Sequence, residues 1–166
     1  ACRMTLQPTW RRFWRRHRMS KAGRRVLCML LWTWGGAVYF LMEVAWKTAT
    51  GRPEQISWTM LLVAILLSAA VERCGYQLPW DVPLFLQALA CSVLVTAVDF
   101  VSGLIINVWL GLGVWDYSHL PGNIMGQICP QFFLVWFALC MPFIPIFDWL
   151  WYAVAGGEQP HYRMGW

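Results

Sequence analysis

Charged residues are scarce in this sequence. Asp, Glu, Lys and Arg make up 13% of its 166 residues, whereas an average soluble domain contains about 25%. Hydrophobic residues make up 59%, and the mean hydropathy is +0.49. The apolar runs are longer than the helices of a soluble protein need. We therefore exclude a soluble globular domain and predict an integral membrane protein.

Several catalytic motifs are also missing. The chain has no G-x-x-x-x-G-K-[ST] phosphate-binding loop, no G-x-S-x-G elbow and no H-E-x-x-H pair. Their absence excludes ATP hydrolysis by such a loop, a hydrolase built on a serine elbow and a zinc protease of that type. We predict no cofactor, and an enzymatic function is less favoured than a non-enzymatic one.

The cysteines and histidines do not form a ligand set. The six cysteines show no C-x-x-C spacing, and the three histidines, at positions 17, 119 and 161, are far apart. Asp116 and His119 could share a cation at i, i+3 spacing, but a pair of solvated loop residues is the favoured interpretation. We therefore predict no bound metal.

Four apolar segments are present, at residues 26–46, 57–71, 83–110 and 131–154. Because a helix needs about 20 residues to cross the hydrocarbon core, the second segment is expected to extend into its flanks. The sequence therefore predicts an all-α polytopic membrane protein with a bundle of four transmembrane helices. This domain comprises residues 26–155, and a short cytoplasmic tail follows at 156–166.

The positive charge is concentrated before the first apolar segment. Nine of the 13 Lys and Arg residues precede Val26. By the positive-inside rule the N-terminus faces the cytoplasm, and four spans return the C-terminus to the same side. The predicted location is the plasma membrane, taken as a bacterial inner membrane, and residues 114–129 then face outward.

Residues 1–25 form a separate basic segment. Trp10, Phe13, Trp14 and His17 recur at helical spacing, which predicts an amphipathic helix in the headgroup layer. Nucleic acid is a poor partner for it, since the helix is tethered to a membrane span and its tryptophans prefer the interface. The residues expected to bind anionic lipid headgroups are Arg11, Arg12, Arg15, Arg16 and Arg18.

Four carboxylates lie at the depth of the spans, where an ionised group needs a partner, a proton or a water-filled cavity. Glu43 follows the start of its span by about 17 residues and Asp99 by about 16. At a rise of ~1.5 Å per residue, both belong to the outer half. Glu72 and Asp148 belong to the inner half by the same count.

The expected partners of these acids differ. Glu43 has Lys47 at i+4, which favours an ion pair. Glu72 has an adjacent arginine, and Asp148 has the aromatic neighbours of an interfacial anchor. Asp99 has no basic residue in reach along its own helix. It is therefore protonated, bonded across the bundle, or in contact with a cation or water.

Small residues recur on the first two spans. Gly35 and Gly36 lie in the first span, and Ser68 begins a Ser-Ala-Ala run in the second. Such residues allow two helix backbones to approach closely in a membrane. We predict that these two helices pack against each other at these positions.

Residues 114–129 form the densest polar run of the chain. Asp116, Ser118 and Asn123 can cap or cross-link turns, and Pro121-Gly122 predicts a tight reversal. The run is either a re-entrant or folded structural loop or the gate of a substrate site. Because it faces the same leaflet as the outer carboxylates, we predict an outward-facing acidic and aromatic pocket. Its expected substrate-binding residues are Glu43, Asp99, Trp115, Asp116, Tyr117, Ser118 and Asn123.

The polar run resembles a family signature. The pattern W-D-Y-S-x-x-P-x-N-x-x-G-x-I-C at positions 115–129 is similar to that of the CmpB-like ABC-transporter type IV membrane proteins, themselves similar to transmembrane protein 229. Asp99 stands where that family usually has glutamate. The resemblance covers roughly residues 26–155, and its further matching positions are Gly35, Gly36, Glu43, Glu72, Arg73 and Gly103.

The resemblance implies a membrane transport protein or transporter component, and the unpaired acid would suit a cation or a proton-coupled solute. A permease of the ABC type would need a separate ATPase and a coupling helix, for which the short link from Arg73 to Trp80 offers little. Four spans enclose little volume, so we expect a homo-oligomer or a partner membrane subunit. The alternatives are a structural or accessory subunit whose polar loop docks a partner and, less favoured, a lipid-modifying enzyme.

Overall fold

The computed structural model describes residues 19–156 and 159–163. The predicted interfacial helix, with its lipid-binding arginines, lies outside the described residues. Within them, the chain folds into four long helices: α1 (Lys21–Ala49), α2 (Thr59–Gln77), α3 (Leu84–Gly103) and α4 (Pro130–Ala155). A π-helical turn (Leu104–Trp109) continues α3, and a short 3-10 turn (Pro53–Gln55) connects α1 to α2.

All four helices are long and apolar enough to cross a membrane. The predicted all-α fold with four spanning helices is therefore confirmed. Ser20 caps α1 by accepting a hydrogen bond from the backbone N–H of Gly23 at 3.0 Å. Pro130 occupies the first turn of α4, and Gly156 ends that helix at a φ of 66°.

Two helices extend beyond the apolar segments of the sequence. The first begins at Lys21, inside the segment that the sequence assigns to the interface. The second continues past Val71 to Gln77, which confirms that this short apolar segment extends into its flank. The apolar pattern stops at Glu72, but the helix continues because that carboxylate is itself buried, with 2% of the residue exposed.

The close approach of α1 and α2 is confirmed. A Cβ added to Gly36 would lie 2.7 Å from the backbone nitrogen of Ile65, and one added to Gly35 would collide with the hydroxyl of Ser68. Any side chain at these positions would push the helices apart. α2 then contacts each of the other three helices and forms the centre of the bundle.

Consecutive helices run in opposite directions, so the bundle has two distinct ends. The loop end comprises the last turns of α1, the π-helical turn and the connection of residues 110–129. The terminal end comprises the first turns of α1, the α2–α3 connection and the last turns of α4. Glu43 and Asp99 lie towards the loop end, whereas Glu72 and Asp148 lie towards the terminal end, as their depth count predicts.

Candidate functional site

The polar loop is cross-linked by its own side chains. The Asp116 carboxylate accepts hydrogen bonds from the backbone N–H and the hydroxyl of Ser118, at 2.8 and 2.6 Å. The Asn123 amide donates to the carbonyls of Ser118 and Leu120, and its Oδ1 accepts from the N–H of Gly126 at 3.0 Å. The turn-forming role predicted for these three polar residues is thus confirmed.

Gly126 is required by this arrangement. Its φ is 69°, and a Cβ placed on it would lie 2.7 Å from Oδ1 of Asp116. Its carbonyl accepts a hydrogen bond from the backbone N–H of Tyr117 at 2.7 Å, which closes the loop across its base. The glycine of the W-D-Y-S signature therefore has a structural explanation.

An amide pair fixes the loop to α3. Asn107, in the π-helical turn, accepts from the backbone N–H of Val114 at 2.7 Å and donates to Oε1 of Gln127 at 2.8 Å. The Trp115 indole donates to the Gln127 carbonyl at 3.2 Å. Gly103 makes room, since a Cβ there would lie 2.6 Å from Gln127 Oε1. The loop is therefore held as one folded body on the end of α3.

Tyr117 connects the loop to α4. Its ring stacks on Phe132 with a centroid distance of 4.3 Å and an interplanar angle of 19°. Burial raises the pKa of the Tyr117 phenol above its ordinary value, and the negative charges of Asp99 and Glu43 raise it further. The phenol is therefore neutral at every physiological pH and can donate a hydrogen bond.

Lys47 lies beneath the loop and is almost fully buried. Its Nζ pairs with Oε1 of Glu43 at 3.4 Å, which confirms the predicted i, i+4 ion pair. The same ammonium donates to the carbonyls of Gln55 and Val114, at 2.9 and 3.4 Å, and contacts the sulfur of Met60 at 3.0 Å. Four neighbours thus satisfy Lys47 and join α1, the α1–α2 connection, α2 and the loop.

Asp99 is surrounded by aromatic and acidic side chains. Only 6% of the residue is exposed. The Trp136 indole of α4 interacts with its carboxyl, although Nε1 falls short of regular hydrogen-bond geometry. Glu43, Tyr39 and Tyr117 lie within electrostatic range. Among the described residues no Lys or Arg pairs with Asp99.

We call Tyr39, Glu43, Asp99, Tyr117 and Trp136 the acid–aromatic cluster. The Tyr39 hydroxyl donates to Glu43 at 3.4 Å, and its ring packs against Trp136 at a centroid distance of 5.1 Å. Tyr39 could have been found from the sequence, since it precedes Glu43 by one helical turn. Trp136 carried no such signal, because its contact depends on how α4 is rotated against α3.

A small cavity borders the cluster. It has a volume of about 30 Å³ and is lined by apolar side chains together with Tyr39, Trp136 and Ser68. The Ser68 hydroxyl and the Trp136 indole N–H in its wall make no hydrogen bond with the described part of the chain. A volume of this size accommodates about one water molecule, which such polar atoms would hold. It is too small for a solute.

The predicted substrate-binding residues therefore fall into two groups. Glu43, Asp99 and Tyr117 meet in the acid–aromatic cluster, and Trp115 is buried between the loop and α3. The remaining three, Asp116, Ser118 and Asn123, lie on the outer part of the loop and bond to it and to one another. Asp116 is fully exposed, and its hydrogen bonds from Ser118 lower its pKa below the ordinary value, with a smaller effect of His119.

The carboxylates of the terminal end have strong donors. Glu72 accepts from the indole N–H groups of Trp32 and Trp151, at 3.3 and 2.8 Å. The predicted contact with Arg73 is present at 4.0 Å. Asp148 accepts from the Trp80 indole at 2.9 Å and from the Tyr162 hydroxyl. Both acids therefore accept hydrogen bonds that connect different parts of the fold.

In comparisons with known proteins, the chain matches the model of one family. The family model described as "Putative ABC-transporter type IV" matches residues 58–161, which include α2, α3, the polar loop and α4. No curated protein matches the chain. No solved structure matches it either.

Proposed function

The chain belongs to the family described as "Putative ABC-transporter type IV", and from this premise we propose that it is a membrane transport protein or transporter component that binds a cation or a proton at Asp99. The match covers most of the chain and includes the loop signature. The family description itself supports only a transport-related membrane protein. The cation or proton site is our inference from the geometry of the acid–aromatic cluster.

The burial of Asp99 without a basic partner among the described residues carries this proposal. An ionised carboxylate at span depth costs a few kcal/mol on insertion scales unless it is compensated. Lys47, which lies one helical turn after Glu43, is already paired with that acid and with two carbonyls. Asp99 therefore gains most from taking up a proton or binding a cation, which is the chemistry of a coupling site.

The neighbours of Asp99 fit such a site. Tyr39, Tyr117 and Trp136 present neutral donors and aromatic faces, which can stabilise a carboxylate or a cation as its charge changes. The adjoining cavity has space for a water molecule that could deliver a proton. In this proposal Trp115, Asp116, Ser118 and Asn123 keep the loop folded as the wall of the site, and Glu43 holds Lys47 beneath it.

Among the described residues, the cavity beside the cluster has a volume of only about 30 Å³, which is too small to pass a solute. We therefore propose that transport requires a homo-oligomer or a partner membrane subunit. An ATP-driven system would also require a separate ATPase, because the chain has no phosphate-binding loop. The connection between α2 and α3 is only a few residues long, which leaves little surface for coupling to such a subunit.

Asp99→Asn tests the proposal. The protein would be reconstituted in proteoliposomes with a pH-sensitive dye inside, and cation and proton flux would be measured together with thermal unfolding. We expect flux to be lost while folding is retained, because asparagine keeps the shape but neither ionises nor carries the proton. Asp148→Asn provides a control for the loss of an intramembrane acid. Unchanged flux in Asp99→Asn would contradict the proposal.

A second candidate, an accessory subunit that docks a partner through its loop, is favoured by one observation. Ile124 and Met125 are 53% and 63% exposed at the tip of a rigid loop, and Met125 has a φ of 53°, which is unfavourable for a residue other than glycine. Ile124→Ser together with Met125→Ser should release a stoichiometric membrane partner during purification while leaving the fold intact. Retention of that partner would count against docking at the tip.

A further inference from the structure

A basic cavity opens between α1 and α2 at the terminal end. Its volume is about 480 Å³, within the range of roughly 300–1,000 Å³ that ligand sites occupy. Arg24 and Arg25 line it from the first turns of α1, and Arg73 lines it from the end of α2. Since α1 begins and α2 ends here, the cavity lies where a span meets the headgroup layer.

One arginine of this cavity is held in place, and the other two have no acidic partner among the described residues. The Arg73 guanidinium lies over the Trp32 ring at 5.3 Å from its centroid, which fixes its position while 57% of its side chain remains exposed. Within the described ranges, no acidic side chain pairs with Arg24 or Arg25. Three guanidinium groups thus surround one opening, and they present fork-shaped donors that match phosphate oxygens.

Glu72 also lines the cavity, but its charge is already compensated. Both carboxylate oxygens accept indole N–H groups, from Trp32 and Trp151. Arg73 lies 4.0 Å away from the same carboxylate. Glu72 therefore keeps Trp32 and Arg73 in place and leaves the surplus positive charge to Arg24 and Arg25.

The surroundings distinguish a lipid from a free anion. Met29 lines the cavity and is 62% exposed, and its neighbours Val26 and Leu30 are 56% and 62% exposed along the same flank of α1. A basic opening flanked by an apolar, membrane-facing surface fits a phosphate group that carries an acyl chain. Inorganic phosphate has no apolar group that could contact this flank.

We propose that this cavity binds the headgroup of an anionic phospholipid, with its phosphate held by Arg24, Arg25 and Arg73 and an acyl chain lying along Met29. This is a defined lipid site between two helices. It differs from the adsorption to anionic membranes predicted for the arginines before residue 19. It also does not depend on the transport function proposed for Asp99.

Lipid-dependent thermal unfolding tests the site. The full chain in neutral detergent would be titrated with phosphatidylglycerol, with phosphatidylcholine and with inorganic phosphate, and unfolding would be followed by tryptophan fluorescence. We expect phosphatidylglycerol alone to raise the Tm in a saturable way. In Arg24→Gln/Arg25→Gln the apparent Kd should rise by roughly tenfold or more, since two charge-assisted contacts are lost.

Lys21→Gln/Arg52→Gln is the matched control, because it removes two exposed positive charges outside the cavity. Its Kd should stay near that of the unmodified protein. An equal loss in this control, full stabilisation by inorganic phosphate, or no dependence on phosphatidylglycerol would each overturn the proposal. If the double variant does not fold, Arg25→Gln alone, at an exposed position, must still weaken lipid binding, and an unchanged Kd would overturn the site.

Discussion

The two ends of the bundle bury acidic residues in different ways. At the terminal end, Glu72 is joined to two indole N–H groups and Asp148 to an indole and a phenol. At the loop end, Asp99 is buried to a similar extent, but its neighbours are a second acid and aromatic side chains without regular hydrogen-bond geometry. The acids are therefore buried to a similar extent at both ends, but only those of the terminal end accept hydrogen bonds from strong donors.

The difference separates a structural acid from a candidate functional one. A buried acceptor with good donors stabilises the fold, and its removal leaves those donors unpaired. A buried acid with weak partners contributes little to stability, but its protonation state can respond to a ligand. Substitutions at the two ends should therefore have opposite consequences for folding and for function.

The largest expected effect is at Glu72. Glu72→Ala leaves the indole N–H groups of Trp32 and Trp151 without their acceptor and should lower the free energy of unfolding by about 3 kcal/mol. Unfolding in a denaturing detergent, followed by fluorescence, would measure it. Glu54→Ala, at an exposed acid of the α1–α2 connection, should change stability by less than about 0.5 kcal/mol. A small effect of Glu72→Ala would remove the contrast between the two ends.

Gly126→Ala should have the next largest effect. A positive φ disfavours alanine by about 1–2 kcal/mol, and the new methyl would also collide with Asp116. We expect faster hydrogen exchange across residues 114–129, with the helices unchanged. Gly111→Ala isolates the backbone contribution, because Gly111 has a φ of 66° and open space around it. Equal effects of both variants would mean that the contact with Asp116 contributes nothing.

Asp99→Asn should change the free energy of unfolding by less than about 1 kcal/mol in either direction. The amide removes a buried acid that has no strong partner and keeps its volume. Equilibrium unfolding in the same detergent series would show this. Destabilisation comparable to that of Glu72→Ala would mean that Asp99 is a structural acid like those of the terminal end.

The smallest effect concerns the pH dependence of the loop. Hydrogen bonds from Ser118 lower the folded-state pKa of Asp116, so their contribution is present above the unfolded pKa of about 3.9 and is lost as the pH falls through the lowered folded value. Ser118→Ala should raise the pKa of Asp116 towards its ordinary value in a carbon-13 NMR titration. His119→Gln should raise it less, and a larger shift there would contradict this assignment.

Features encoded along one helix were predictable from the sequence. The four spans follow from length and hydropathy, the Glu43–Lys47 pair follows from i, i+4 spacing, and the small residues of α1 indicate its close contact with α2. The depth of each acid also follows, because the rise per residue is constant. The turn chemistry of Asp116 and Asn123 is equally local.

Contacts between helices were not predictable, because they depend on helix rotation and on distant positions in the chain. Trp151 reaches Glu72 across 79 residues, and Asn107 meets Gln127 across 20. Nothing in the local pattern of Gln127 distinguishes it from a solvated loop residue. The extension of α2 past Val71 was expected from the length of a span, but the burial of Glu72 by indoles from other helices was not.

The contacts of Glu72 join helices that are made early and late in the chain. Trp32 leaves the ribosome before Glu72, whereas Trp151 belongs to α4, which is made after the other three described helices. Until that helix arrives, one carboxylate oxygen of Glu72 lacks its indole donor and α2 is only partly enclosed. Docking of α4 therefore completes the burial of Glu72, and we expect it to be the step that fixes the final position of α2 in the bundle.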